Sequence, residues 1–133
     1  MSDQPHRPAC LRAPATWPAF ALALGLGALG LLFIATPRLG AAIFGLPAPE
    51  GEALAYIPVI GLRDLAFAGY ILGLLLRPDR GAVAVVLAAT LLIPIGDLAV
   101  LLAVRGAAAG WHLLPHAASA MAVALAWFCA RPP

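Results

Sequence analysis

Lysine is absent from this 133-residue chain, and charge of either sign is scarce. Eight arginines, four aspartates and two glutamates make 11% charged residues, against about 25% in soluble domains. With 63% hydrophobic residues and a mean hydropathy of +0.97, that scarcity argues against a soluble fold. A net charge of +2 is too small to mark a nucleic-acid partner. Cysteine is limited to Cys10 and Cys129, whose spacing fits no metal motif and reads as two unpaired thiols. There is no HExxH, no glycine-rich phosphate loop, no nucleophile elbow and no reactive-cysteine setting. No metal is expected, and no cofactor is named by these residues. The abundance of Ala, Gly, Pro and Arg associates with a GC-rich bacterial genome.

What the chain has in quantity is long apolar runs. Residues 1–16 are polar and proline-rich and read as a disordered tail, leaving 17–133 as a single membrane domain. Four runs follow, at about 17–36, 54–76, 81–104 and 111–130. Each approaches the roughly 20 residues that cross about 30 Å of hydrocarbon. Lipid leaves no hydrogen-bond partners for free backbone groups, so such runs form helices. The first run is longer than a signal-peptide core and lacks a clear cleavage site, so it reads as a retained helix. The expected fold class is an all-α membrane protein, a four-transmembrane-helix bundle in the cell membrane. Arg7, Arg12, Arg77, Arg80 and Arg131 fall on one side, against Arg38 and Arg105 on the other, which puts both termini in the cytoplasm. The connection 37–53 is half apolar, and its Leu39, Ile43, Phe44 and Leu46 suit a membrane surface or a cap on the bundle.

Small residues punctuate the runs. Ala23 and Gly27 form one small-xxx-small pair, and Gly69 and Gly73 form a GxxxG. Such pairs let backbones approach closely. For Gly69 and Gly73 the expectation is packing inside the bundle, with a homo-oligomer face as the rival reading.

The informative exception to apolarity is Arg63-Asp64, within the second run. A charge at mid-bilayer costs roughly 2.5–3.5 kcal/mol on insertion scales, so it needs a partner or a wet cavity. Partners exist at matching depth. Arg63 lies fourteen residues before Arg77, roughly 21 Å at 1.5 Å per residue. Asp97 lies seventeen residues after Arg80, roughly 25 Å, and His116 fifteen before Arg131, roughly 22 Å. Three runs therefore carry ionisable groups to one level. Adjacent helical residues point about 100° apart, so Arg63 and Asp64 are not expected to aim at one spot. One arrangement has Arg63 reaching Asp97 while Asp64 faces His116 or the first helix. Pro94 and Pro58 remove donors to the carbonyls of Thr90 and Leu54, and each is expected to open a kink beside the site. His112 and His116 are four apart on one face, a metal-compatible spacing that two residues alone do not make a site.

The segment Gly61-Leu-Arg-Asp-Leu-Ala-Phe-Ala-Gly69 resembles the GxRD signature of a family of small four-helix integral membrane proteins of unknown function. The first connection, Pro37 to Phe44-Gly45-Leu46-Pro47, resembles that family's, as do an aspartate at 97 and a histidine at 116. The likeness spans about residues 20–130. It implies a four-helix membrane protein with Arg63, Asp64, Asp97 and His116 as the characteristic positions.

Three functional readings follow. In the first, an outward-facing polar pocket binds or transforms a small lipophilic molecule. Asp97 or Asp64 then acts as acid or base, His116 relays the proton, and Arg63 and His112 bind the ligand. In the second, the chain is a structural or accessory subunit whose polar network only fixes packing. In the third, an oligomer forms a transport path.

Overall fold

The computed structural model describes residues 16–77 and 79–131. Apart from Thr16, the expected tail lies outside them. The described residues are helical and contain no strand. The α-helices are α1 (Trp17–Ala35), α2 (Pro37–Phe44), α3 (Tyr56–Leu75), α4 (Arg80–Thr90), α5 (Leu92–Arg105) and α6 (Leu113–Ala130). Short 3₁₀ turns at Gly51–Ala55 and Gly106–His112 lead into α3 and α6. Three helical stretches are long and apolar enough to cross a membrane: Trp17–Ala35, Gly51–Leu75 and Arg80–Ala130. The last holds α4, α5 and α6. Since α4 and α5 both pack against α6, it folds back on itself.

The sequence explains most boundaries. Pro37 lacks an N–H and disfavours helix at Thr36, so α1 stops and α2 starts at a corner. Asp79 caps α4, its side chain accepting from Ala82 N–H at 2.9 Å. Gly45 closes α2 in the left-handed conformation at φ +97°, where glycine alone carries no steric penalty. Leu46 N–H then returns to Ala41 O, completing a Schellman-type end.

The run 81–104 is not one helix. It breaks at Leu91, between α4 and α5. Pro94 has no N–H for the Thr90 carbonyl, and the Thr90 hydroxyl donates back to Val86 O at 2.7 Å, a bond that favours bending. The kink expected at Pro58 is not found. Pro58 sits in the first turn of α3, where a helix needs no donor from it. The connection 37–53 caps the other helices. Gly40 and Ala41 are buried, and a Cβ built on Gly40 would stand 3.0 Å from the Phe33 ring of α1.

Helix α1 packs most extensively against α3, and more narrowly against α2 and α6. Helices α1 and α3 meet backbone to backbone at Gly30 and Gly61. A Cβ on Gly61 would fall 2.5 Å from Gly30 O, and one on Gly30 would fall 2.7 Å from Gly61 O. The Ala23/Gly27 pair also belongs to this seam: Ala23 is fully buried, and a Gly27 Cβ would meet Ala68 at 3.8 Å. Gly69 and Gly73 behave differently. Both are exposed, with nothing within 4 Å of a built Cβ. The expectation that they pack internally is therefore corrected: they lie on an α3 face turned away from the other helices.

The continuous apolar core gathers at one end of the fold. It joins Ala19, Ala23 and Leu26 of α1 with Ala68, Ile71 and Leu75 of α3, Leu87 of α4, and Ala126 and Ala130 of α6. These are the early residues of α1, the late residues of α3 and α6, and a residue of α4. The opposite end is where the ionisable residues lie.

Candidate functional site

Arg63 and Asp64 come from the middle of α3, Asp97 from the middle of α5 and His116 from the first turn of α6. The structure brings all four together. Arg63 Nε donates to Asp64 Oδ1 at 3.1 Å, and its Nη2 lies 3.1 Å from the same oxygen. Arg63 Nη1 is 3.8 Å from Asp97 Oδ1. The other Asp97 oxygen lies 3.7 Å from His116 Nδ1. The chain of contacts is thus Asp64, Arg63, Asp97, His116.

Two expectations about this group are corrected. Arg63 and Asp64 do meet, because the long arginine stem turns its guanidinium back onto the neighbouring carboxylate. His116 faces Asp97, not Asp64, whose partner is Arg63. The alternative place for Asp64, toward the first helix, is found, since it shares the buried face of α3 with Gly61 and Ala68, which meet α1. The predicted reach of Arg63 toward Asp97 is present. Asp64 and His116 are buried, whereas the Arg63 side chain keeps 35% of its surface exposed.

His116 has a second partner. Its Nε2 lies 2.9 Å from Phe44 O. A carbonyl oxygen only accepts, so Nε2 carries a hydrogen. Nδ1 then faces the Asp97 carboxylate, and one further proton on Nδ1 or on Asp97 keeps two lone pairs from opposing each other. With that proton the Asp97–His116 pair is neutral, Arg63 is balanced by Asp64, and the group carries no net charge. Neutrality is what a weakly polarisable surrounding favours.

The same contact fixes α2. The last carbonyls of a helix have no partner within it, and here side chains from distant elements supply the donors. His116 takes Phe44 O, and Arg105 Nη1 donates to Gly45 O at 2.6 Å. Both are basic side chains at a helix C-terminus, where the helix dipole favours them. The Phe44 ring also meets the His116 ring edge-on, with centroids 4.8 Å apart. In the sequence Phe44 reads as an apolar residue of the cap, Phe44-Gly45 as part of a family-like stretch and Arg105 as a flanking charge, and none of them reads as a partner of the ionisable group. The signal that carries them is the Phe-Gly-Leu-Pro stop at residues 44–47, which leaves open carbonyls facing the bundle.

His112 stands apart from the ion pairs. Its ring stacks on Trp111 at 3.8 Å between centroids and packs against buried Gly45, where an added Cβ would fall 2.7 Å from His112 Cβ. Its Nδ1 is buried without a hydrogen-bond partner among the described residues. No group of three or more His, Cys, Asp or Glu side chains is placed to hold a metal ion among the described residues.

Two open depressions of about 480 Å³ each lie nearby. One runs between α1 and α6 and is apolar, lined by Ala21, Leu22, Gly25, Leu29, Pro115 and Ala122 among others. The other lies at the N-terminal end of α3, lined by Glu52, Ala53, Ala55, Tyr56 and Val59. Neither is lined by Arg63, Asp64, Asp97 or His116.

No curated protein and no solved structure matches this chain. Residues 23–129 match the family described as a domain of unknown function, DUF4267. That span holds all six α-helices except the start of α1 and the last residue of α6, together with every residue of the ionisable group, and the chain belongs to this family.

Proposed function

We propose that this protein is a four-pass bundle of the cell membrane, with both termini in the cytoplasm, that binds a small lipophilic molecule at the Arg63–Asp64–Asp97–His116 group and possesses the acid–base groups to act on it. The observation that carries this reading is the incomplete use of Arg63. A purely structural arginine in lipid would be buried with its donors spent. Here more than a third of the side chain is open, and only Nε makes a hydrogen bond among the described residues. The Asp97 carboxylate and, 3.7 Å beyond it, the His116 ring stand one contact away. In this role Arg63 holds the ligand's polar group, and Asp97 with His116 gives or takes a proton. Asp64 keeps the guanidinium in place.

The test uses the purified protein in nanodiscs and a photoreactive long-chain probe. Arg63→Met, Asp97→Asn and His116→Gln should each insert and fold yet lose saturable labelling. Variants that fold and label as the parent does would overturn the reading.

The rival reading is a non-catalytic subunit whose polar network only fixes packing. It draws support from the α2 carbonyls held by His116 and Arg105. Under it, His116→Gln would free α2 without any effect on labelling. A homo-oligomer through Gly69 and Gly73 is compatible with either reading, and crosslinking in native membranes tests it.

A further inference from the structure

We infer that the group held by Arg63 is an uncharged carbonyl oxygen on a lipophilic molecule, approaching from the N-terminal end of α3. This rests on the reading under Proposed function and narrows it to a ligand class.

Charge balance comes first. Arg63 is the sole permanent cation in the group, and the Asp64 carboxylate lies 3.1 Å from it by two of its nitrogens. The Asp97 carboxylate borders its other side at 3.8 Å. With Arg63 already balanced by Asp64 and Asp97 facing His116, an entering anion would be the one uncompensated charge of the group. The anion would also have to shed its water. An entering cation would meet the guanidinium. A neutral acceptor escapes both costs and still gains a charge-assisted hydrogen bond. Guanidinium has five N–H donors and no acceptor, so the recognised atom is an acceptor oxygen.

The approach follows from helix register. Tyr56 and Val59 lie seven and four residues before Arg63, which puts them on the same α3 face, about 10 and 6 Å away along the axis. Both line the open depression at the start of α3, and both are exposed, at 73% and 57%. Side chains on a helix lean toward its N-terminus. The Cα–Cβ bond of Arg63 is tilted the same way, and its guanidinium then turns back onto Asp64, so Tyr56 and Val59 stand between the depression and the ion pair. An aromatic and a branched aliphatic side chain flank the path, which suits a hydrocarbon body behind a carbonyl head.

The experiment measures competition against a diazirine-bearing long-chain methyl ketone in nanodiscs of ether-linked lipids, which contain no ester carbonyl. The competitors are 2-tridecanone and dodecyl sulfonate. The expected result is at least tenfold stronger competition by the ketone, with the label mapped to Tyr56, Val59 or their neighbours. Arg63→Met should reduce that preference to less than threefold. Should Arg63→Met fail to accumulate, Val59→Trp fills the approach without touching an ion pair and should abolish labelling. Repeating the assay in ester-linked lipid separates the sources of the carbonyl. Weakened ketone competition there identifies the lipid ester as an occupant, and unchanged competition identifies a free small molecule. Sulfonate competing as well as the ketone, or better, would overturn this inference while leaving a lipophile site intact. An absence of saturable labelling by any probe would instead remove the functional reading on which it rests.

Discussion

Replacing Gly61 by alanine should damage this protein far more than one methyl group suggests. The added Cβ would stand 2.5 Å from Gly30 O, 2.9 Å from Ile34 Cγ1 and 3.1 Å from Phe33 Cβ. Non-bonded carbon contacts are most favourable at about 3.5–4.0 Å, so the first of these is about 1 Å too close. The obstructing atom is backbone and has no rotamer to change. Helices α1 and α3 must separate, and every contact along their seam loosens, including Ala23 and Gly27 against Ala68. Overpacking typically costs 1–3 kcal/mol, and a backbone collision belongs at the upper end, about 3 kcal/mol. That is roughly a hundredfold change in the folding equilibrium. Gly69→Ala is the control, since nothing lies within 4 Å of its Cβ. The better helix propensity of alanine should make it neutral or stabilising by up to about 1 kcal/mol. Titration of the purified protein in mixed micelles with sodium dodecyl sulfate, followed by tryptophan fluorescence, gives both values. Equal midpoints for Gly61→Ala and the parent, or an equal loss in Gly69→Ala, would refute the reasoning.

Other perturbations probe separate parts of the fold. Arg105→Met removes the donor to Gly45 O. Loss of a hydrogen bond from a charged group costs about 1.5–3 kcal/mol, so amides of α2 should exchange markedly faster while those of α4 do not change. Asp79→Ala removes the α4 cap and should cost about 1 kcal/mol, read as faster exchange at Ala82 in the first turn. Pro94→Ala returns a donor to the Thr90 carbonyl. The expected outcome is a protected amide at residue 94 and a straighter α4–α5 junction, measured by spin-label distances across Leu91.

Much of the fold was legible in the sequence because lipid imposes a simple rule: apolar runs of about 20 residues become helices. The depth argument placed Arg63, Asp97 and His116 at one level, and they do meet. It worked because three separate runs could each be counted from a charged end. What it missed were matters of side-chain reach and chain direction. The angle between adjacent Cβ atoms separates Arg63 from Asp64, but a long flexible stem cancels that angle. The two prolines look alike in sequence, yet Pro94 follows a stretch of α-helix that it interrupts, whereas Pro58 lies in the first turn of α3, after a short 3₁₀ turn. Gly30 and Gly61 make a backbone-to-backbone helix contact, while the more conspicuous Gly69/Gly73 motif makes none. Spacing marks where backbones are able to approach, and only the rotation of a helix decides which face does so. The tie from Arg105 and His116 to α2 spans 60 and 72 residues, beyond what local pattern carries.

The central claim is that charged residues from separate spans meet within the fold. A double-mutant cycle of Arg63→Met and Asp97→Leu, with unfolding free energies measured in mixed micelles, tests it most directly. Groups in contact couple by about 0.5–3 kcal/mol, whereas sites more than 7–10 Å apart add within about 0.5 kcal/mol. With the two side chains 3.8 Å apart, a coupling of at least about 1 kcal/mol is predicted. Simple additivity of the two losses would contradict the account.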